Sequence, residues 1–492
     1  MLLENLTAIA RRVPGTSGLK TTDGLLSYAA LAERAARLAT GLSKRGIGPG
    51  DAVAVLLPNG PELFAVAYAL FGLGAIVMPL NIAAPAPELT AATRRASARA
   101  IIARPALAAV AAEVAANTTT DGTIPVILSG ADGLDLLARS QPTTLAAPSA
   151  DAPALYLFSS GSTGRPKIVP HTHGEMLANG RATAADFALT SDDVVFNNLP
   201  GNHAMGFLNS VFEVPEAGAT TFYFSDPTSI LISRDRLLEV IERERVSILP
   251  GVPFMFDVLA GAGEGVRLDG VRLTYSAGVS LKRPTFDRFR ERFGMPLRQA
   301  YGCTEAGHVA FNRVVDPEPS WDSVGRPVGD TRVEVVPVEN PFGADHGELV
   351  FHSSSLTKGY LNEPATNEMS FRNGLFSTGD LGKLDAEGNI YIRGRSKLIV
   401  EVAGHKIDPL EVEDVLAQHP DVAEAVVVGV PSRRTGEQEL KAVVVRDGDV
   451  TPEALIRFCK TRLAIQKVPS IVEFIDAIPR SATGKILRGR LM

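Results

Sequence analysis

Cysteine is nearly missing from this chain: Cys303 and Cys459 are the only two among 492 residues. So few thiols exclude a disulfide-built scaffold and a cysteine-built zinc site, and they fit a reducing, cytoplasmic setting. Net charge is also small, at −6, which disfavours nucleic acid or an anionic membrane surface as a bulk partner. There is no low-complexity linker and no short internal repeat. The opening stretch MLLENLTAIARRVPG carries acid and base inside its apolar part, so it does not read as a signal peptide. One uncharged run, residues 63–80, has the length of a membrane span, but Gly72, Gly74 and Pro79 interrupt it. It reads instead as a buried helix from Pro61 to Phe71, after the Asn59-Gly60 turn, followed by a buried strand AIVMPL.

Hydrophobic residues make up 45% of the chain and charged residues 21%, the balance of a soluble globular enzyme. The length predicts more than one domain. The first 130 residues alternate in α/β fashion. Ser27 caps a helix with Leu31, Ala35, Leu38 and Leu42 on one face, and Gly46 stops it. A GPGD turn leads to the strand AVAVLL, and RAIIA and PVIL follow as further strands. From about Ser323 to Tyr391, short strands such as RVEVVPV, GELVF and NIYIRG suggest a β-rich subdomain. A small α+β unit follows Arg395. In it Asp408-Pro409-Leu410-Glu411 and Thr451-Pro452 start helices, and EAVVVGV, KAVVV and IVEFI are strands.

The densest cluster of hydroxyls and glycines is FSSGSTGRPK, residues 158–167. Gly161 and Gly164 free the backbone, so amides can turn toward an anion. Ser159, Ser160, Ser162 and Thr163 add donors, and Lys167 adds a positive charge. It is not a kinase-type phosphate loop. Arg165 and Pro166 separate Gly164 from Lys167, and Ile168 stands where a magnesium-binding hydroxyl belongs. The flanks ALYLF and KIVPHTH read as strands, so the loop joins two extended segments rather than starting a helix.

Four more segments stand out: YGCTEAG (301–307), FSTGDLG (376–382), GRSKLIVEVAGHKI (394–407) and SATGKILRGR (481–490). In isolation each reads as ordinary surface. Glu305 would be a surface acid, Asp380 a turn cap, Arg395 and Lys397 a solvated pair, and Lys485 an exposed lysine. In this order and spacing, together with the loop, they are no longer independent.

With these five motifs the chain resembles, over essentially its whole length, the adenylate-forming superfamily, most of all acyl-CoA synthetases. The resemblance implies an α/β fold. A large, multi-subdomain N-terminal adenylation domain over 1–395 would combine α/β sheets with the β-rich subdomain. A small, mobile α+β C-terminal domain would cover 398–492, with a hinge near Lys397. The implied reaction activates a carboxylic acid with ATP and Mg²⁺ to acyl-AMP and pyrophosphate, then passes the acyl group to CoA.

By the same resemblance, Ser159, Ser160, Gly161, Ser162, Thr163, Gly164 and Lys167 hold the β- and γ-phosphates. Ala277, Gly278, Tyr301 and Gly302 form the adenine wall and its surroundings. Thr304 meets the α-phosphate. Glu305 binds magnesium, with Thr163 as a second candidate. Asp380 and Arg395 take the ribose. Lys485 is the catalytic lysine, reaching the α-phosphate and the substrate carboxylate. His203, Met205, Phe207, Val252, Gly278 and Cys303 are expected at the acyl pocket, with His203 closing it. The segment departs from the family at Gly201-Asn202, where relatives often carry Leu-Phe or similar. Ala403, Gly404 and His405 match the loop that lets the pantetheine arm pass.

Amino-acid-activating relatives usually place an Asp near the pocket; none lies within 199–211. The expected acid is therefore fatty, aryl or a small organic acid. No carrier domain follows Lys485, so the acceptor is expected to diffuse in: CoA first, a free carrier protein as the alternative. No membrane span is expected, and a homodimer is left open.

Overall fold

The computed structural model describes residues 1–492 except 14, 121, 160–165, 198, 225–229, 263–266, 403–404, 433–437 and 481–485, and except the side chains of 230–234 and 397. The chain divides into two compact units. One is Met1–Arg332 with His352–Gly374; the other is Val333–Phe351 with Leu375–Met492.

The first unit shows the alternation read from the sequence. Helices Tyr28–Ser43, Pro61–Leu73, Ala86–Arg95 and Ala108–Thr118 intersperse with strands Ala52–Leu56, Ile76–Pro79, Ala100–Ala103 and Val126–Leu128. The Ser27 hydroxyl accepts from the Ala30 amide and so caps the first of these helices. Leu31, Ala35, Leu38 and Leu42 form its buried face. The uncharged run at 63–80 is core: Pro61–Leu73 is buried from Leu63 onward and stops at Gly74, whose φ is +70°. Among the described residues no helix is long and apolar enough to cross a membrane.

These strands build a six-stranded sheet in the order Val126–Leu128, Ala100–Ala103, Ala52–Leu56, Ile76–Pro79, Pro153–Ser159, Lys167–Thr172. All pairs are parallel except the last. Both faces are covered, which explains why its first four strands, Val126–Leu128, Ala100–Ala103, Ala52–Leu56 and Ile76–Pro79, are apolar throughout. Val53 and Val55 enter a core shared with Tyr28–Ser43 and Pro61–Leu73. Ala52, Ala54 and Leu56 enter another, shared with Ala86–Arg95 and Ala108–Thr118.

A second series in the same unit runs Thr220–Tyr223, Val194–Asn197, Ile248–Gly251, Leu273–Ser276, Arg298–Cys303 as parallel neighbours. It continues antiparallel through Gly307–Phe311 and Ser323–Pro327. One of its faces packs on Pro253–Ala260 and Arg283–Phe293 through Phe256, Phe286 and Phe289. The other gathers Phe187, Val214, Tyr275 and Phe311.

The second unit contains the β-rich segment, with Arg332–Val336, Gly347–His352, Leu375–Leu384 and Ile390–Arg395 side by side. It also contains the α+β unit. There Val422–Pro431, Gln438–Arg446 and Ile471–Phe474 form a three-stranded sheet. Helices Pro409–Leu416 and Pro452–Lys460 cover one face through Val412, Leu416, Leu455 and Cys459. Asp408 and Thr451 cap these helices, as their spacing predicts. Compactness gathers 375–395 into the same unit as the C-terminal residues. The strand Leu375–Leu384 in it pairs with both Gly347–His352 and Ile390–Arg395. The division at Lys397 concerns motion rather than packing, and it stays a proposal.

Candidate active site

The loop expected to hold phosphate is framed as the sequence predicts. Pro153–Ser159 and Lys167–Thr172 pair antiparallel with Ser159 opposite Lys167, so the segment between them joins two strands. Ser160, Gly161, Ser162, Thr163 and Gly164 lie outside the described residues. Beyond the second strand, Thr172 and Glu175 form a reciprocal capping box that starts the helix His173–Asp186.

YGCTEAG is a tight hairpin. Cys303 pairs with Gly307, leaving Thr304, Glu305 and Ala306 at the tip. Its shoulders require glycine. Gly307 has φ +74°, and a Cβ there would meet the Asn179 amide at 2.4 Å. A Cβ on Gly302 would meet the Gly307 carbonyl at 2.5 Å.

Other elements hold the tip in place. The ring of His171, on Lys167–Thr172, lies with Nε2 2.8 Å from the Thr304 carbonyl oxygen. Asn179, on the following helix, donates to the Ala306 carbonyl at 3.1 Å. The Thr357 amide donates to the Glu305 carbonyl at 2.9 Å. The phenol of Tyr360 donates to Glu305 Oε1 at 2.8 Å. Burial, and then the Glu305 carboxylate, raise the phenol's pKa above its ordinary value, so it stays a donor. The Lys167 ammonium sits over the same ring, 4.4 Å from its centre. His171, Asn179, Thr357 and Tyr360 were not singled out by the sequence. His171 follows the glycine-rich loop closely, which was a weak signal. Tyr360 is 55 positions from Glu305, and nothing local marks it.

Glu305 is 7% exposed, and the donor set fits magnesium. The cation takes one or two carboxylates plus substrate phosphates rather than a full protein cage. Glu305 supplies such a carboxylate, with one oxygen fixed by Tyr360. Among the described residues no group of three or more His, Cys, Asp or Glu could hold a metal.

Three adjacent strands, Ile248–Gly251, Leu273–Ser276 and Arg298–Cys303, bring their carboxyl ends together, the usual place for ligands in such sheets. Val252 follows the first and Ala277-Gly278 the second. The Ala277 amide donates to the Gly251 carbonyl at 2.9 Å. Gly278, exposed at φ +85°, has Val252 Cγ1 3.7 Å from where its Cβ would be. Tyr301 and Cys303 are half-buried on the third strand. His203 precedes the short helix Ala204–Leu208 and is half-buried. Met205 packs toward the cluster of Tyr275 and Ala277. Phe207 is fully buried, 6.2 Å from both Phe64 and Phe212, inside the main core. One turn of helix separates Phe207 from His203 and points it inward.

Beneath this region lies a buried acid–base pair that no motif marked. Glu213 Oε2 is 3.5 Å from His308 Nε2. Burial pushes the Glu213 carboxyl up to about 8 and the His308 imidazole down to about 4, so both favour their neutral forms at neutral pH. Glu213 closes a π-helical turn, Asn209–Glu213.

In the second unit, Asp380 and Arg395 face each other across antiparallel strands. Arg395 Nε is 2.6 Å from Asp380 Oδ1, and Nη2 is 3.5 Å from Oδ2. Thr378 Oγ1 accepts from the Asp380 amide, and Glu348 accepts from the Gly379 amide. Lys397 lies in the turn Ser396–Leu398 directly after this strand. His405 starts the strand His405–Ile407, paired with Val400–Val402. Ala403, Gly404 and Lys485 lie outside the described residues. A solvent-open cavity of about 650 Å³ between Pro253–Ala260 and Arg283–Phe293 is lined by Asp257, Arg288 and Arg292 and contains no expected site residue.

Comparison with known proteins identifies the family. A family profile described as AMP-binding enzyme matches residues 6–361, and one described as AMP-binding enzyme C-terminal domain matches 411–485. Oxalate–CoA ligase of Arabidopsis thaliana is 32% identical over 99% of this chain and 96% of its own length. Feruloyl-CoA synthase of an Amycolatopsis species is 32% identical over 98% and 96%. The structure of o-succinylbenzoate coenzyme A synthetase from Bacillus subtilis, in complex with ATP and magnesium ion, superposes with a TM-score of 0.85. It is 28% identical, with 99% of this chain and 98% of that one covered.

Proposed function

The chain belongs to the AMP-binding enzyme family, and from that premise we propose how its residues perform the family's reaction. It is an AMP-forming acid–thiol ligase. A carboxylate oxygen attacks the α-phosphorus of ATP, the bond to the bridging oxygen of pyrophosphate breaks, and acyl-AMP forms. The thiol sulfur of CoA then attacks the acyl carbonyl, loses its proton and expels AMP. The observation that carries this reading is similarity to CoA ligases along nearly the whole chain, through both matched segments.

The proposed roles reflect the chemistry of each residue. The glycine- and hydroxyl-rich loop with Lys167 grips the β- and γ-phosphates. The Thr304 hydroxyl meets the α-phosphate, and Glu305 beside it binds Mg²⁺. The bound cation would screen charge on the phosphate oxygens. Tyr301, Ala277 and Gly278 take adenine, and Asp380 with Arg395 takes the ribose. Lys485 offers its charge to the transition state of adenylyl transfer to the carboxylate. Ala403, Gly404 and His405 form the passage for the pantetheine arm.

His203, Met205, Val252 and Cys303 bound the acyl end, with Phe207 supporting it from the core. The absence of Asp within 199–211 favours an acid without an α-amino group. The acid proposed is fatty, aryl or a small organic acid, and the reaction belongs to the cytoplasm, in keeping with two cysteines in the chain.

The test is a panel of such acids with ATP and Mg²⁺, scoring pyrophosphate release and thioester formation with and without CoA. Acid-dependent pyrophosphate with a CoA thioester is the expected result. Acyl-AMP formation that ignores CoA and loads a phosphopantetheinyl carrier protein would give the acceptor role to that protein. No acid-dependent pyrophosphate release would overturn the reading.

A further inference from the structure

Residues 357–361 run along the strand that begins at Lys167. The Leu361 amide donates to the Ile168 carbonyl at 3.0 Å, and the Thr357 hydroxyl donates to the Pro170 carbonyl. The same short segment also reaches the hairpin tip, through the Thr357 amide and the Tyr360 phenol, both on Glu305. Tyr360 is 7% exposed, so its ring and hydroxyl have little freedom. Its two ends meet different charges. The ring face takes the Lys167 ammonium at 4.4 Å, and the hydroxyl gives its hydrogen to Glu305 Oε1.

A carboxylate on a hairpin tip would otherwise sample several rotamers. One hydrogen bond from a buried, stiff side chain fixes which oxygen points away. The two oxygens of one carboxylate offer about four lone-pair sites, and a single phenol uses one. The Lys167 contact acts on the other side of the ring, where a cation near an aromatic face is worth about 0.5–2 kcal/mol. The cation of the phosphate loop and the acid of the hairpin are thus held by one side chain.

We propose that Tyr360 is a positioning residue for the metal–nucleotide complex: its hydroxyl orients Glu305 toward the cation and its ring seats Lys167. This rests on the reading of Glu305 as the magnesium ligand. Two consequences separate. Tyr360→Phe keeps the ring and removes the orienting hydrogen bond, so it weakens metal binding and spares metal-free nucleotide. Tyr360→Leu removes both and weakens nucleotide binding even without metal.

The experiment measures Mn²⁺ affinity by electron paramagnetic resonance on the full chain with a non-hydrolysable ATP analogue, and affinity for the same analogue in EDTA by calorimetry. The variants are Tyr360→Phe, Tyr360→Leu and Glu305→Gln. Loss of a group that orients a metal ligand lowers metal affinity about 10-fold or more. Tyr360→Phe should show that loss with wild-type affinity in EDTA, and Tyr360→Leu should lose affinity in both. If Glu305→Gln leaves Mn²⁺ affinity unchanged, the metal-ligand reading itself fails. If Glu305→Gln weakens Mn²⁺ binding and Tyr360→Phe does not, the role of Tyr360 alone is overturned. It is overturned equally if Tyr360→Phe loses the analogue in EDTA, since the hydroxyl would then serve the fold.

Discussion

Arg395 lies directly opposite Asp380 across two antiparallel strands, with its Nε 2.6 Å from Oδ1. The acid is buried, with its side chain 4% exposed, and the base is half-exposed at 53%. A buried carboxylate held this way has a defined direction, which suits it to accept from two vicinal hydroxyls. Asp380→Asn should raise the ATP dissociation constant about 10-fold or more, a hydrogen bond to a charged group being worth about 1.5–3 kcal/mol. With 2′,3′-dideoxy-ATP the variant and the wild type should bind alike. Calorimetry with both nucleotides checks this; equal losses on the two would assign Asp380 to the fold and not to the ribose.

Lys485 and the Gly404 loop are proposed to serve different half-reactions. Lys485→Ala should lower acyl-AMP formation by ~10²–10³, the cost of one donor to a developing charge. It should still convert supplied acyl-adenylate and CoA to thioester. Gly404→Trp should do the reverse by blocking the thiol's passage. Lys397→Pro should spare the first step and slow the second, because a fixed φ hinders rotation. Paired half-reaction rates decide. Equal loss of both steps in the first two variants would rule out this division of labour.

Met205 and Phe207 are two positions apart but should respond differently. Met205 is half-buried near the strand ends, so Met205→Ala should shift preference toward bulkier acids. A methylene of fit is worth about 1–3 kcal/mol in an apolar pocket. Phe207 is enclosed by Phe64 and Phe212. Phe207→Ala should cost about 3–5 kcal/mol of stability and change the ranking of acids little. Chemical denaturation beside an acid panel tests both; a changed ranking in stable Phe207→Ala protein would return that residue to the pocket wall.

The Glu213–His308 pair predicts a pH dependence of stability. Glu213 is raised from 4.5 to about 8 and His308 lowered from 6.5 to about 4, each by burial. The fold therefore holds one more proton on Glu213 between pH 4.5 and 8, and one fewer on His308 between 4 and 6.5. The two slopes oppose each other up to pH 6.5. Above it only Glu213 acts, so stability should fall as pH rises from 6.5 to 8. Tyr275 and Asn209 face the same site; the phenol remains neutral throughout this range. Glu213→Gln cannot ionise and should flatten that fall. Urea unfolding at about pH 6.5 and about pH 8 compares the two proteins, and identical slopes would show that Glu213 does not titrate there.

The elements legible in the sequence were those whose cause is local. Ser27, Asp408 and Thr451 cap helices because their side chains reach amides two or three residues on. The strands flanking the glycine-rich loop could be read from β-branched runs and a proline. Phe207 lies in the core, and a pattern of apolar residues near a helix start does not say which way each one points. Helical rotation turned it into the core while His203 stayed half-buried.

Family, motif order and the chemistry each residue can offer were readable from the chain alone, because amino-acid type and spacing are one-dimensional properties. The supports of those residues came from tertiary packing. The Thr304–Ala306 tip is fixed by His171, Asn179, Thr357 and Tyr360, contributed from 133, 127, 52 and 55 positions away. Hydrogen bonds act over about 3 Å of space, whatever length of chain separates the partners. Such braces become visible only once the sheets have brought the two stretches together.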